Sequence, residues 1–138
     1  MIVLEVLLVA VFLTWVPRAA LANPTAEQMQ RTGTLSQQIM TLMGAQRYDE
    51  AIRKQEELIV LYGEMLGPNS EAVWAQREAL PGAHLAAGRP AEAVALQQQL
   101  VDEYKQRGAP DPLALGRLLS NLAAYLFNTG QVKKGVAV

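Results

Sequence analysis

The chain has 138 residues, with 12 Lys and Arg, 13 Asp and Glu, one His and no Cys. Its length suits one domain, and a chain that is 51% apolar and 18% charged is too apolar to be disordered. A net charge of -1 excludes the usual basic nucleic-acid binder; the lack of Cys excludes disulfides, thiolate nucleophiles, thiolate-held zinc or iron–sulfur clusters and a lipidated cysteine anchor.

The first predicted element is a leader. Residues 6–16 read VLLVAVFLTWV, an apolar run broken by Pro17 and Arg18. A membrane-spanning helix needs about 20 apolar residues, whereas a shorter run suits the core of a signal peptide. Ala20-Leu21-Ala22 follows, with small residues where a signal peptidase requires them. The expectation is a signal peptide over residues 1–22, cleaved after Ala22, and a periplasmic or secreted mature domain over 23–138. The early charge is Glu5 rather than Lys or Arg. This keeps open the alternative of an uncleaved N-terminal anchor, the one route by which a membrane would be a partner.

The remainder repeats at an offset of 42 residues. Arg47, Glu50, Ala51, Gln55, Leu58 and Tyr62 recur as Arg89, Glu92, Ala93, Gln97, Leu100 and Tyr104. Leu80 and Gly88 recur as Leu122 and Gly130. Periods of 20–50 residues mark stacked supersecondary units. In unit one, Ala51, Ile52, Leu58, Ile59, Tyr62, Met65 and Leu66 form a helical stripe that predicts a helix over 48–66. Arg53 and Glu57, four apart on its charged face, are expected to pair. Gly67-Pro68-Asn69-Ser70 ends that helix, and Ser70 can cap the next, predicted over 70–87. Pro81-Gly82 lies inside this second helix and predicts a kink or break. Pro90 opens a helix over 90–107, and Gly108 stops it. Helix 112–128 carries Leu115, Leu118, Leu119, Leu122, Leu126 and Phe127 on a broad apolar stripe, leaving only residues 131–138 for its partner. No strand pattern is present outside the leader. The fold class predicted is all-α, an antiparallel helical-hairpin solenoid of about two and a half repeats.

These features resemble the tetratricopeptide repeat family. The resemblance rests on Arg47-Tyr48-Asp49-Glu50-Ala51 in unit one, on Leu80, Gly88 and Ala93 in unit two, and on Asn121-Leu122-Ala123-Ala124-Tyr125 with Gly130 in unit three. Small Ala51 and Ala93 fall where paired helices cross and must approach closely. The 42-residue period, with Leu66-Gly67-Pro68-Asn69 closing the second helix, is similar to the longer kinesin-light-chain variety, found in bacterial exported proteins. The resemblance spans roughly residues 30–135. Two departures stand out: His84 replaces the usual aromatic four residues before the turn Gly, and unit three lacks its second helix.

The resemblance implies a protein–protein interaction or scaffold module that holds a peptide or helix in a concave groove lined by the first helix of each hairpin. Carried over position by position, the partner-binding candidates are Arg117, Ser120, Asn121 and Phe127 in unit three, Glu78 in unit two, and Met40 and Met43 in unit one. The paired donor and acceptor of Asn121 suit a peptide backbone, and flexible Met side chains suit an adaptable apolar contact. At helical spacing, Met40 and Met43 are more often core residues. The partner is expected to be a protein or peptide, including a second copy of this chain. A competing expectation is a self-associating or truncated N-terminal part of a larger exported repeat protein, with the activity downstream.

Catalysis is not expected. His84 stands alone. Ser36, Ser70 and Ser120 lie in no nucleophile motif, and no glycine cluster has a phosphate-loop context. No metal or other cofactor is expected. For the leader, the expected outcome is that the intact mass of protein isolated from its native source corresponds to a chain starting at Asn23; a mass retaining Met1 would favour the anchor.

Overall fold

The structure is a computed structural model that describes residues 23–130. The leader and its cleavage point, like residues 131–138 that follow the first helix of unit three, lie outside the described residues. The described residues form five helices: α1 (Ala26–Gly44), α2 (Tyr48–Leu66), α3 (Glu71–Ala86), α4 (Pro90–Gln106) and α5 (Pro112–Asn128). Each packs chiefly on the next in sequence, and no strand occurs among the described residues. The architecture is an all-α helical-hairpin solenoid.

Each helix starts where local chemistry places it. Thr25 and Gln28 close a reciprocal capping box at α1. Ser70 accepts from Val73 N–H to cap α3, and Asp111 accepts from Leu113 N–H to cap α5. Pro90 and Pro112 take first-turn positions, where a missing N–H costs no bond. The caps Arg47 and Arg89 make no such side-chain bond. Instead Arg47 clamps Glu50 in the first turn of α2, at 2.8 and 2.6 Å.

The turns within hairpins are built alike. Gln46, Gly88 and Gly130, spaced by 42, all have positive φ, at 58°, 78° and 74°. At the first two, the backbone closes through matching bonds: Arg47 N–H to Leu42 C=O and Gln46 N–H to Met43 C=O, then Arg89 N–H to His84 C=O and Gly88 N–H to Leu85 C=O. This is the Schellman closure of a helix C-terminus. A left-handed backbone suits glycine and strains a residue with a Cβ, so the first turn is the strained copy.

Two apolar clusters fill the solenoid. Leu35, Leu58, Leu61 and Met65 form one; Leu100, Val101, Leu118, Leu122 and Leu126 form the other. Fully burying such a side chain is worth about 1.5–3 kcal/mol. Ala51 and Ala93 are 1% and 0% exposed, as helix crossings require. The repeated glutamines are buried too. Gln55 donates to Gln76 C=O at 3.3 Å, and Gln97 to Leu118 C=O at 2.9 Å. Each bond fastens the second helix of one unit to the first helix of the next.

Two local expectations are corrected. α3 continues through Pro81 without a break, and the Pro81 ring is fully buried, so its packing offsets the lost backbone bond. Glu57 pairs with Arg31 of α1 at 2.6 Å and with Lys54 at 3.5 Å, not with Arg53. A cation presented by the neighbouring helix displaces the one four residues away. The bond from Arg31 holds the Glu57 carboxyl below the usual range.

The strained turn gives a direct test. Gln46→Gly is expected to raise stability by about 0.5–1 kcal/mol, because the strain of a left-handed L-residue exceeds the entropy cost of glycine. Gly88→Gln is expected to lower it by a similar amount. Urea midpoints at unchanged slope measure both.

Candidate functional site

The predicted site residues fall on the first helices of the hairpins, α1, α3 and α5. Met40 on α1 is 75% exposed and belongs to the surface, not the core. Met43 is half-buried. On α5, Ser120 and Phe127 are exposed, Phe127 at 68%, while Asn121 is half-buried. Leu118, Leu122 and Leu126 turn the opposite way into the core.

Arg117 and Glu78 meet. One guanidinium nitrogen of Arg117 reaches both carboxylate oxygens of Glu78, at 3.0 and 2.9 Å. This ion pair ties α5 to α3 and neutralises both predicted charges. A second link lies nearby: a side chain at Gly82 would meet the Tyr125 hydroxyl at 3.6 Å. Burial pushes the Tyr125 phenol up. Among the described residues, no side-chain hydrogen bond or ion pair joins the other predicted residues to one another.

The ion pair borders a cleft of about 380 Å³ lined by Glu71, Trp74, Ala75, Glu78 and Arg117. The sequence reading missed Glu71, Trp74 and Ala75. Their spacing with Glu78 over two turns of α3 was the available signal. Trp74 is held edge-on to Tyr104, with ring centroids 6.0 Å apart. The guanidinium carbons of Arg77 and Arg107 lie 5.0 and 4.5 Å from its ring centre. Arg77 also makes two 2.8 Å bonds to Glu103, and Arg107 bonds to Asn69. The indole is thus fixed between α3 and α4.

A larger cleft, about 500 Å³, opens between the helices of the first hairpin. Thr34, Gln38, Thr41, Leu42, Arg47 and Lys54 are among the residues that line it, a mixed polar and apolar surface. His84 lies at the turn, with Nδ1 2.9 Å from Glu92 Oε2 but without hydrogen-bond geometry. Arg89 joins Glu92 at 3.5 Å and reaches Asp49 of the preceding unit at 2.6 Å. Among the described residues, no group of three or more metal-ligating side chains is present, and no helix is long and apolar enough to cross a membrane.

Compared with protein-family models, curated proteins and solved structures, the chain has no match.

The Trp74 support predicts an acid dependence. The hydrogen bonds from Arg77, chiefly, hold the Glu103 carboxyl below the usual range, against the opposing effect of burial. The folded state therefore binds this proton more weakly than the unfolded chain. The contribution to stability is complete above the ordinary carboxylate value of about 4.3 and is lost as pH falls through the lowered value. Glu103→Gln should lower Tm at pH 7 and flatten the fall in Tm between about pH 5 and 3, as followed by circular dichroism.

Proposed function

We propose that this chain is a tetratricopeptide-type interaction module, exported through its N-terminal leader, which binds a peptide or helix along the exposed face of α1, α3 and α5. It has no catalysis of its own. The observation that carries the reading is the character of that face. The three first helices present exposed small or apolar positions, Met40 on α1, Ala75 and Ala79 on α3, and Ser120, Ala124 and Phe127 on α5, beside the exposed polar Gln37 and Thr41 of α1. Its central charges, Glu78 and Arg117, already satisfy each other. An apolar face with few fixed polar groups favours a partner that brings an apolar stripe. Asn121, half-buried at the edge of this face, supplies an amide for a partner's backbone. The 42-residue recurrence of turns, small crossing residues and glutamine bonds supports the family assignment. Export rests on the VLLVAVFLTWV run and the Ala20-Leu21-Ala22 that follows.

A position-specific cross-link tests this. A photoreactive side chain placed at Met40, Asn121 or Ala124 should yield a discrete adduct in the cells of origin. The same probe at outward Glu64 or Gln99 of α2 and α4 should yield none. Asn121→Ala, combined with the probe at Ala124, should reduce the adduct without lowering Tm. Equal labelling on both faces, or none on the α1–α3–α5 face, would overturn the reading.

A further inference from the structure

The three first helices carry one equivalent face, and in two of them the preceding helix covers it. At the 42-residue spacing the face comprises Thr34, Gln38 and Thr41 on α1, Gln76, Leu80 and Ala83 on α3, and Leu118, Leu122 and Tyr125 on α5. α2 packs on α3, and α4 packs on α5. There Ala83, Leu118 and Leu122 are buried, and Gln76, Leu80 and Tyr125 are half-buried. Among the described residues, no helix lies on the face of α1. Thr34, Gln38 and Thr41 are all exposed and line the cleft of about 500 Å³ with Arg47 and Glu50.

The covered faces show how a helix is held. Gln55 donates to Gln76 C=O at 3.3 Å, and Gln97 to Leu118 C=O at 2.9 Å. Both bonds fall on the backbone at the position that Thr34 holds in α1, so they do not depend on the side chain there. Beside this bond, Arg89 reaches Asp49 of the covering helix at 2.6 Å, and its Nε stands 3.5 Å from Glu92. In the uncovered unit the matching Arg47 is closed on Glu50, at 2.8 and 2.6 Å. One Arg–Glu pair is thus present in two states. It is shut on itself where the face is open, and turned to a carboxylate where a helix lies on the face.

We infer that this end of the solenoid is a docking site for an acidic amphipathic helix of a partner protein, held on α1 as α2 is held on α3. The incoming helix supplies a carboxylate that draws Arg47 from Glu50. Six residues later, about 9 Å along its axis, it supplies a side-chain amide to Thr34 C=O, in the spacing of Asp49 and Gln55. The polar lining sets the class of occupant. Where α3 and α5 offer Leu80 and Leu122, α1 offers Gln38, whose amide must find a partner when covered. The apolar run VLLVAVFLTWV of the leader brings neither a carboxylate nor an amide to this face. The site is separate from the proposed groove along α1, α3 and α5 and does not rest on it.

The probe is the helix that the chain itself places on the equivalent face. A peptide of residues 47–66, stapled between the exposed positions 56 and 60 and checked for helicity by circular dichroism, is titrated into the full chain. Saturable binding is expected, with a Kd below about 100 μM. Asp49→Asn in the peptide should weaken it about three- to fivefold, and this loss should vanish when the protein carries Arg47→Gln. Gln55→Ala in the peptide should weaken it about fivefold. Gln38→Trp in the protein, at an exposed position, should abolish binding without lowering Tm. No binding by the helical peptide, binding indifferent to Asp49, or binding that survives Gln38→Trp would overturn the site. Binding confined to a chain starting at Asn23 would assign the face to the leader. A dimer of the chain that the peptide dissociates would assign it to a second copy. Either result would overturn the partner helix. The photo-adducts at Asn121 and Ala124 report on the groove alone, so the two readings fail separately.

Discussion

The hairpin turn governs the rest of this structure. Each first helix can lie against its second only if the chain reverses within three residues, and that reversal needs one residue in the left-handed region. Gly88 meets the need without strain, while Gln46 meets it at a cost. Once a hairpin closes, Ala51 or Ala93 sits at a crossing that accepts nothing larger, and the glutamine four residues later reaches the next unit. Turn, crossing and inter-unit bond recur together because each fixes the geometry of the next. The 42-residue repeat is a repeat of this sequence of constraints.

Much of the architecture was legible in the sequence, for a physical reason. The signals were backbone signals: glycines and prolines at ends, Ser70 as a cap, and apolar residues at helical spacing. The helix bounds over 48–66 and 112–128 follow from them directly. The readings that failed depended on neighbours. Pro81 was read from its local cost alone, and with the ring buried the helix continues without a break. Glu57 was assigned the cation on its own helix, and Arg31 of another helix took it. Gln46 carried no glycine signal, although the 42-residue offset from Gly88 points to it.

The candidate site divides in the same way. Helical periodicity was enough to place Arg117, Ser120, Asn121 and Phe127 on one outward side of α5, but it favoured the core for Met40, which is exposed. It could not show that Arg117 and Glu78 consume each other's charge, since 39 residues separate them. That pairing changes the character of the face, from a charged recognition surface to a nearly neutral apolar one. Trp74 was legible as a residue but not as a fixture. Its position depends on Arg77, Tyr104 and Arg107, brought around it by two helices.

The two apolar clusters of the solenoid, one shared by α1 and α2 and the other by α4 and α5, have a kinetic meaning. Nearly all packing joins elements adjacent in sequence, so no long loop must close before contacts reward the chain. Such a topology has low contact order and folds quickly, from whichever hairpin nucleates first. The same locality sets how the protein would yield under load. Tension on its two ends would meet no strand or helix clamped between distant parts of the chain, and it would peel the hairpins away one after another. This solenoid is built as a compliant element rather than a rigid strut.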